Sequence, residues 1–297
     1  MTNMKKYNTF ILLSTMARNI VEVFSSVLLY KMGYSIKEIF LFFTILYFIG
    51  GITSMITIYL TKIIKPKYIL ILSSIIFSIS FYFMSMMNKT FINLIIFAII
   101  YGIGTYTYHT MRHYYAIKSL DNHKRTDIGN ILIFTNIATV ISTIIGTYIS
   151  SRLSTSIIAI VVIIISIIAI IPLLNFNIKE DNNDIKFNKI EKNKLKFFIL
   201  EQSKVINLSL QPLYLYLFIN NKISYIGIFN IIMGISSCIF IYFFVRKIND
   251  KKHFKYLNII FCLFLILKLN INNIKIILYI TIILISFVGF INRKDLQ

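Results

Sequence analysis

Long apolar stretches separated by short polar connections run along the whole sequence. An α-helix needs about 20 residues to cross the hydrocarbon core of a bilayer, where the segment must satisfy its own backbone hydrogen bonds. Ten stretches reach or approach this length, so the pattern predicts ten membrane-spanning helices, which we call spans 1 to 10. The spans cover residues 7–30, 36–61, 68–87, 91–117, 127–151, 154–175, 197–219, 223–245, 254–269 and 274–291.

One connection differs from the others in its length and polarity. Residues 176–196 carry charges of both signs, whereas most other connections are short. We expect this segment to be a linker between two parts of the chain. The sequence therefore predicts an N-terminal half of six spans in residues 1–175 and a C-terminal half of four spans in residues 197–297.

The positive side chains indicate how the spans are oriented, because cytoplasmic loops of membrane proteins are enriched in Lys and Arg. Counted over alternate loops, 21 of these residues lie on the side of the two termini and the linker, and 7 lie on the opposite side. The sequence thus predicts that the N-terminus, the linker and the C-terminus are cytoplasmic.

The composition agrees with a membrane protein, since 57% of the 297 residues are hydrophobic and 14% are charged. The net charge of +20 would indicate nucleic-acid binding in a soluble protein. Here the positive residues lie mainly in the connections, so we expect a lipid bilayer as partner and no nucleic acid. Cys238 and Cys262 lie in apolar stretches, which excludes a disulfide framework and a cysteine metal site.

An internal repeat links the two halves, because residues 51–59 and 234–242 are identical at six of nine positions. Parallel halves joined by a cytoplasmic linker are typical of repeat-built secondary transporters. Two further features add to this layout: the turn at residues 30–35, followed by Glu38 and Ile39, and the basic loop at residues 62–67. With these features, the layout resembles the major facilitator superfamily. The resemblance implies an all-α helical bundle in the cytoplasmic membrane, monomeric and without a cofactor. The family usually has twelve helices, so we expect the second half to be incomplete.

Ionisable side chains inside the spans are few and unevenly distributed. A charge at mid-bilayer costs at least about 2.5 kcal/mol, so each one must pair, reach the interface or face water. Spans 3 and 6 carry none, and residues 157–171 are apolar on every face, as in a lipid-exposed helix. Spans 1, 4 and 7 carry Arg18, Glu22, His109, Arg112, His113, Glu201 and Lys204. This spacing of three spans, like the family resemblance, implies a central cavity lined by spans 1, 4 and 7.

Helical spacing places the polar residues of each of these three spans on one face. The face on span 4 includes Tyr101 and Thr105. The predicted pathway for solute and ions consists of Arg18, Glu22, Tyr101, Thr105, His109, Arg112, Glu201, Lys204 and Gln211. We expect no catalytic residue and no metal ligand among them.

Other roles stay open for several of these residues. Arg18 and Glu22 are four residues apart and could form a structural ion pair instead of lining a cavity. Arg112 and Glu201 lie near the cytoplasmic ends of their spans and could snorkel or form a gate. His109 and His113 have the spacing of a metal pair, but no further ligand stands near them in the sequence.

The sequence favours a secondary active transporter, a symporter or antiporter, that moves a small polar, charged or amphiphilic solute by alternating access. No ATP-binding motif is present, so an ion gradient or simple facilitation is expected, with protons favoured over Na⁺. Two alternatives remain: a membrane-embedded enzyme that modifies lipid, and a transport-inactive relative that binds a ligand or acts as a sensor.

Overall fold

The computed structural model describes residues 3–118, 124–152, 154–174, 211–218 and 222–240. Every element within these ranges is an α-helix. The helices are α1 (Asn3–Glu22), α2 (Ser25–Lys31), α3 (Ile36–Leu60), α4 (Pro66–Met86), α5 (Phe91–Lys118), α6 (Lys124–Arg152), α7 (Thr155–Leu174), α8 (Gln211–Phe218) and α9 (Ile223–Phe240).

The apolar pattern predicted these helices well. Five helical segments of 20 to 26 residues are apolar enough to cross a membrane, and they correspond to spans 1 to 4 and span 6. Helices α6 and α9 lie at spans 5 and 8, and α8 covers part of span 7. The linker, spans 9 and 10 and most of span 7 lie outside the described residues.

Span 1 contains a break that the apolar pattern did not predict. Helix α1 ends at Glu22 and α2 begins at Ser25, with a turn at Val23 and Phe24 between them. The hydroxyl of Ser25 donates a hydrogen bond of 3.0 Å to the carbonyl of Glu22. The main chain of span 1 is therefore irregular next to its acidic residue.

The connection between spans 1 and 2 is tightly built. Gly33 has a φ of +91°, a left-handed conformation that favours glycine. Ser35 and Glu38 form a capping box at the start of α3, in which the Glu38 carboxylate accepts the Ser35 N–H at 2.7 Å. The buried Tyr34 donates its hydroxyl to the carbonyl of Thr90 at 3.2 Å. Burial raises the pKa of the Tyr34 phenol, which keeps it protonated as a donor.

The helices pack in a continuous order of neighbours. Helix α5 lies against α3 and α4, α4 also contacts α7, and α7 contacts α1. Helix α1 packs on α6, which in turn packs on α9, while α2 contacts α8. Thus α1 and α2 together contact helices of both halves of the chain.

Helix α7 corrects one expectation about span 6. It exposes one row of isoleucines, as a lipid-facing helix would, but it buries the opposite face against α1 and α4. The buried residues are Ile158, Ala159, Val162, Ser166, Ala169 and Leu173. Span 6 is apolar all round because one side contacts lipid and the other the protein core, not because lipid surrounds it.

Candidate functional site

Arg18 lies in α1 with its charged group enclosed by aromatic rings. The guanidinium carbon is 4.1 Å from the ring centroid of Phe77 in α4 and 4.0 Å from that of Tyr108 in α5. The residue is only 3% exposed. A desolvated cation between two π faces gains about 2 kcal/mol or more. The rings therefore stabilise the charge of Arg18 within the bundle.

The edges of the same guanidinium contact α5. The two terminal nitrogens donate to the Thr105 hydroxyl and to the Gly104 carbonyl, each at 3.4 Å. A Cβ on Gly104 would lie 2.8 Å from the backbone nitrogen of Phe77. Glycine at this position thus lets α4 and α5 approach closely enough for both to contact Arg18.

Glu22 lies one helical turn beyond Arg18, at the break in span 1. Its Oε1 atom is buried and has no hydrogen-bond partner among the described residues, although the side chain as a whole is only partly buried. The charges of Arg18 and Arg112 both act on the carboxylate. The hydrogen bonds of Arg18 are made to α5 and not to Glu22. The structure thus gives Arg18 a different set of contacts from the ion pair that the sequence left open as an alternative.

Tyr101 belongs to an aromatic cluster more than to an open pathway. Its ring is 5.5 Å from that of Phe97 and nearly parallel to it, and 5.4 Å from that of Phe81. Phe42 and Phe77 complete the cluster. Tyr101 is 4% exposed and lies one helical turn before Thr105 on α5.

His109 and Arg112 lie further along α5, toward its C-terminal end. The His109 ring is half-buried and meets the edges of Tyr106 and Tyr108 at 6.3 and 5.4 Å. Arg112 is also half-buried, and its carbonyl accepts the hydroxyl of Tyr7 at 2.9 Å. No group of three or more potential metal ligands occurs among the described residues.

Of the three predicted pathway residues in span 7, the structure describes only the last. Glu201 and Lys204 lie outside the described residues. Gln211 is the first residue of α8. The structure thus brings together Arg18 and Thr105, places Glu22 and Tyr101 beside them, and leaves the contribution of span 7 a prediction.

Helix α6 contributes buried polar groups that the sequence analysis did not assign to the pathway. Asn19 in α1 donates its amide to the hydroxyl of Thr139 at 2.8 Å. The Asn136 amide nitrogen and the hydroxyls of Thr143 and Ser150 are buried without a hydrogen-bond partner in the described part of the chain. These positions share one face of α6, and that spacing was the signal that could have identified them.

Among the described helices, those before and after the predicted linker meet through α6 and α9 and through α2 and α8. A side chain on Gly227 in α9 would collide with Thr147 in α6. The rings of Tyr30 and Tyr216 contact each other edge to face at 6.2 Å. By the predicted orientation, these contacts lie toward the outer side of the membrane.

Comparison with known proteins gives a family and a fold. A sequence model of the Major Facilitator Superfamily matches residues 9–292. The chain is similar to the crystal structure of the nucleoside transporter NupG, with a TM-score of 0.72 and 13% identity, over 99% of this chain and 81% of that one. A mutant of that transporter gives a TM-score of 0.71 and 14% identity, over 98% and 80% of the respective chains. No curated protein matches the sequence.

Proposed function

Because the chain belongs to the major facilitator superfamily, we propose that it moves a small polar, charged or amphiphilic solute across the cytoplasmic membrane by alternating access. The family and the fold make it a multi-pass secondary transporter and not the lipid-modifying enzyme considered above. The observation that carries the choice of site is the group of buried polar and charged side chains where α1 meets α5 and α6.

Polar groups inside a membrane protein cost free energy, because lipid offers them no hydrogen bonds. They are therefore rare there, and those that are present mark functional sites. The exposed side chains of the spans are mainly apolar, whereas Arg18, Glu22, Asn19 and Thr143 lie inside the bundle. Such inward-facing charges in transporters mark solute and ion pathways. This contrast supports a pathway along α1, α5 and α6.

The proposed movement is a rocking of the six-span half against the second half, with residues 176–196 as the linker. Transporters with repeated halves bind solute near the bilayer midplane, at the interface between the halves. Here α1 and α2 contact helices of both predicted halves. The break in span 1, next to Glu22, separates α1 from α2. Broken helices at such an interface commonly line the binding site.

The energy source in this proposal is a proton gradient acting through Glu22. Burial favours the neutral form of a carboxylic acid, and an approaching cation favours the charged form. A carboxylate with a buried, unpartnered oxygen can therefore exchange a proton when its surroundings change. His109 is the second titratable candidate on the predicted pathway.

Substitution of Glu22 by Gln tests this coupling, because Gln resembles the protonated acid at every pH. In proteoliposomes we expect Glu22→Gln to lose accumulation driven by a pH gradient, while solute exchange persists at saturating concentration. Radiolabelled nucleosides are the first solutes to test, since the structural neighbour is described as a nucleoside transporter. Accumulation equal to that of the parent, at a rate indifferent to external pH, would contradict coupling through Glu22. Absence of uptake and exchange for every solute class would favour the transport-inactive relative.

A further inference from the structure

The two charged side chains of span 1 differ in the contacts that they make inside the bundle. Both faces of the Arg18 guanidinium are covered by the rings of Phe77 and Tyr108, and two of its nitrogens donate to Thr105 and Gly104. At 3% exposure, this cation has no free face for an incoming anion. The positive charge of Arg18 therefore acts on its surroundings, but its guanidinium is not available to bind a solute.

Glu22 has the opposite properties. Its side chain is only partly buried, while its Oε1 atom is removed from solvent and makes no hydrogen bond within the described residues. A carboxylate oxygen accepts hydrogen bonds and cannot donate one when ionised. Leaving such an oxygen unmatched inside the bundle is unfavourable, so this position is suited to an incoming donor.

The other cation of the described pathway, Arg112, is too far along the bundle to occupy this position. Arg18 contacts Thr105 and Tyr7 contacts Arg112, so α1 and α5 run antiparallel. Glu22, one turn beyond Arg18, therefore lies about level with Tyr101, one turn before Thr105. Arg112 lies eleven residues further along α5, which corresponds to about 16 Å at 1.5 Å per residue. Among the described residues, no hydrogen bond joins Arg112 to the buried Oε1 atom of Glu22.

We propose that the Glu22 carboxylate is a binding group for the solute and receives an ammonium or another N–H donor group. This assignment rests on the transport function proposed above and specifies its solute class. The Glu22 carboxylate would repel an anionic solute at this position. The Arg18 guanidinium could not bind that solute, because Phe77 and Tyr108 enclose it. A proton and a donor-bearing solute exclude each other on one carboxylate, which gives coupled exchange a direct physical basis.

Matched probes that differ in charge and hardly in shape test the assignment. One series is 1,4-diaminobutane, 1,4-butanediol and succinate, and the other is tyramine, tyrosol and 4-hydroxyphenylacetate. The readout is the thermal unfolding midpoint of the purified full chain in detergent. Because the sequence has no Trp, a fluorophore that reacts with Cys238 and Cys262 on unfolding reports the transition.

We expect the cationic member of at least one series to raise the midpoint of the parent by about 2 °C or more, because a ligand that binds the folded state stabilises it. Glu22→Gln should abolish this shift. Glu38→Gln is the matched control: Glu38 lies in the capping box of α3, where Gln serves equally well, so the shift should persist. Glu22→Asp, which keeps the charge on a shorter side chain, should retain the preference for cations with at least about tenfold weaker binding.

Three results would overturn the assignment: stabilisation by the anionic members, no stabilisation by any member, or an undiminished shift in Glu22→Gln. If Glu22→Gln does not fold, an affinity for the cation in Glu22→Asp equal to that of the parent overturns it too. Uptake of the same probes into proteoliposomes separates the two proposals. Cation binding without uptake contradicts transport and leaves the assignment standing, whereas uptake confined to anions supports transport and refutes the assignment.

Discussion

The sequence made Arg18 a candidate for the predicted pathway but did not reveal its contacts. Its position in span 1 and the spacing to Glu22 suggested either an ion pair or a cavity lining. The structure instead places the guanidinium between Phe77 and Tyr108, on two other helices. Aromatic rings bind a cation without neutralising it, which leaves the Glu22 carboxylate available for another partner.

Because aromatic rings enclose the Arg18 guanidinium, we expect the protein to lose stability when Arg18 is replaced by a side chain of the same charge and a different shape. Lys keeps the charge but lacks the planar group that stacks on two rings. Arg18→Lys should lower the thermal unfolding midpoint by about 3–6 °C. The matched control is Arg152→Lys, since Arg152 is exposed and lies 5.0 Å from the ring of Tyr148. Equal effects of the two substitutions would refute the special role of the enclosure.

At the scale of elements, α1 and α6 depend on close backbone contact. Gly146 of α6 lies at this contact. A Cβ at Gly146 would lie 2.7 Å from the carbonyl oxygen of Ile20 and 2.9 Å from the ring of Phe24. This contact adjoins the break in span 1, so the packing of α6 helps to set the position of Glu22.

Replacement of Gly146 by Ala should therefore separate α1 from α6. Because the first atom it meets belongs to backbone, the helices must shift, and overpacking of this kind costs about 1–3 kcal/mol. Gly51→Ala is the matched control, because a Cβ there meets nothing within 4 Å and Ala favours a helix by up to about 1 kcal/mol. Thermal unfolding should show a decrease for Gly146→Ala and no decrease for Gly51→Ala. A neutral Gly146→Ala would contradict the contact.

At the scale of the whole molecule, alternating access requires that the two halves separate and rejoin. In the structure they touch through α6 and α9 near Thr147 and Gly227, and through Tyr30 and Tyr216. Contacts within the first half, such as that between the hydroxyls of Thr57 and Thr107 at 3.4 Å, connect α3 to α5. Rocking should break the first kind of contact and preserve the second.

Disulfide trapping can test this distinction. In a background with Cys238→Ser and Cys262→Ser, cysteines at Thr147 and Gly227 should form a disulfide that stops uptake, because it joins the two halves. A reducing agent should restore uptake. Cysteines at Thr57 and Thr107 are the control, since they join helices within one half and should leave uptake unchanged. Full uptake with the first disulfide in place would contradict the rocking movement at this contact.

The orientation of the whole chain is a prediction from the distribution of positive residues. Single cysteines at Asn88 and Asn188, in the same cysteine-free background, should react differently with a membrane-impermeant thiol reagent added outside the cell. Asn88, in the connection between α4 and α5, should be labelled, and Asn188, in the linker, should not. Labelling at Asn188, or its absence at Asn88, would reject the orientation.

The sequence by itself determined the membrane class, the family resemblance and, apart from the break in span 1, the described helices to within a few residues. These follow from local apolar length and from charges in the loops. The sequence also made Arg18, Glu22 and Thr105 candidates for the predicted pathway, since a charge or polar stripe within an apolar span is visible in one dimension. Only the tertiary structure decided that Phe77 and Tyr108 enclose Arg18, that Tyr101 packs in an aromatic cluster and that the polar face of α6 is buried beside α1. Those features depend on which helices become neighbours, and Phe77 and Tyr108, which lie 59 and 90 positions from Arg18, meet it through packing that no local pattern specifies.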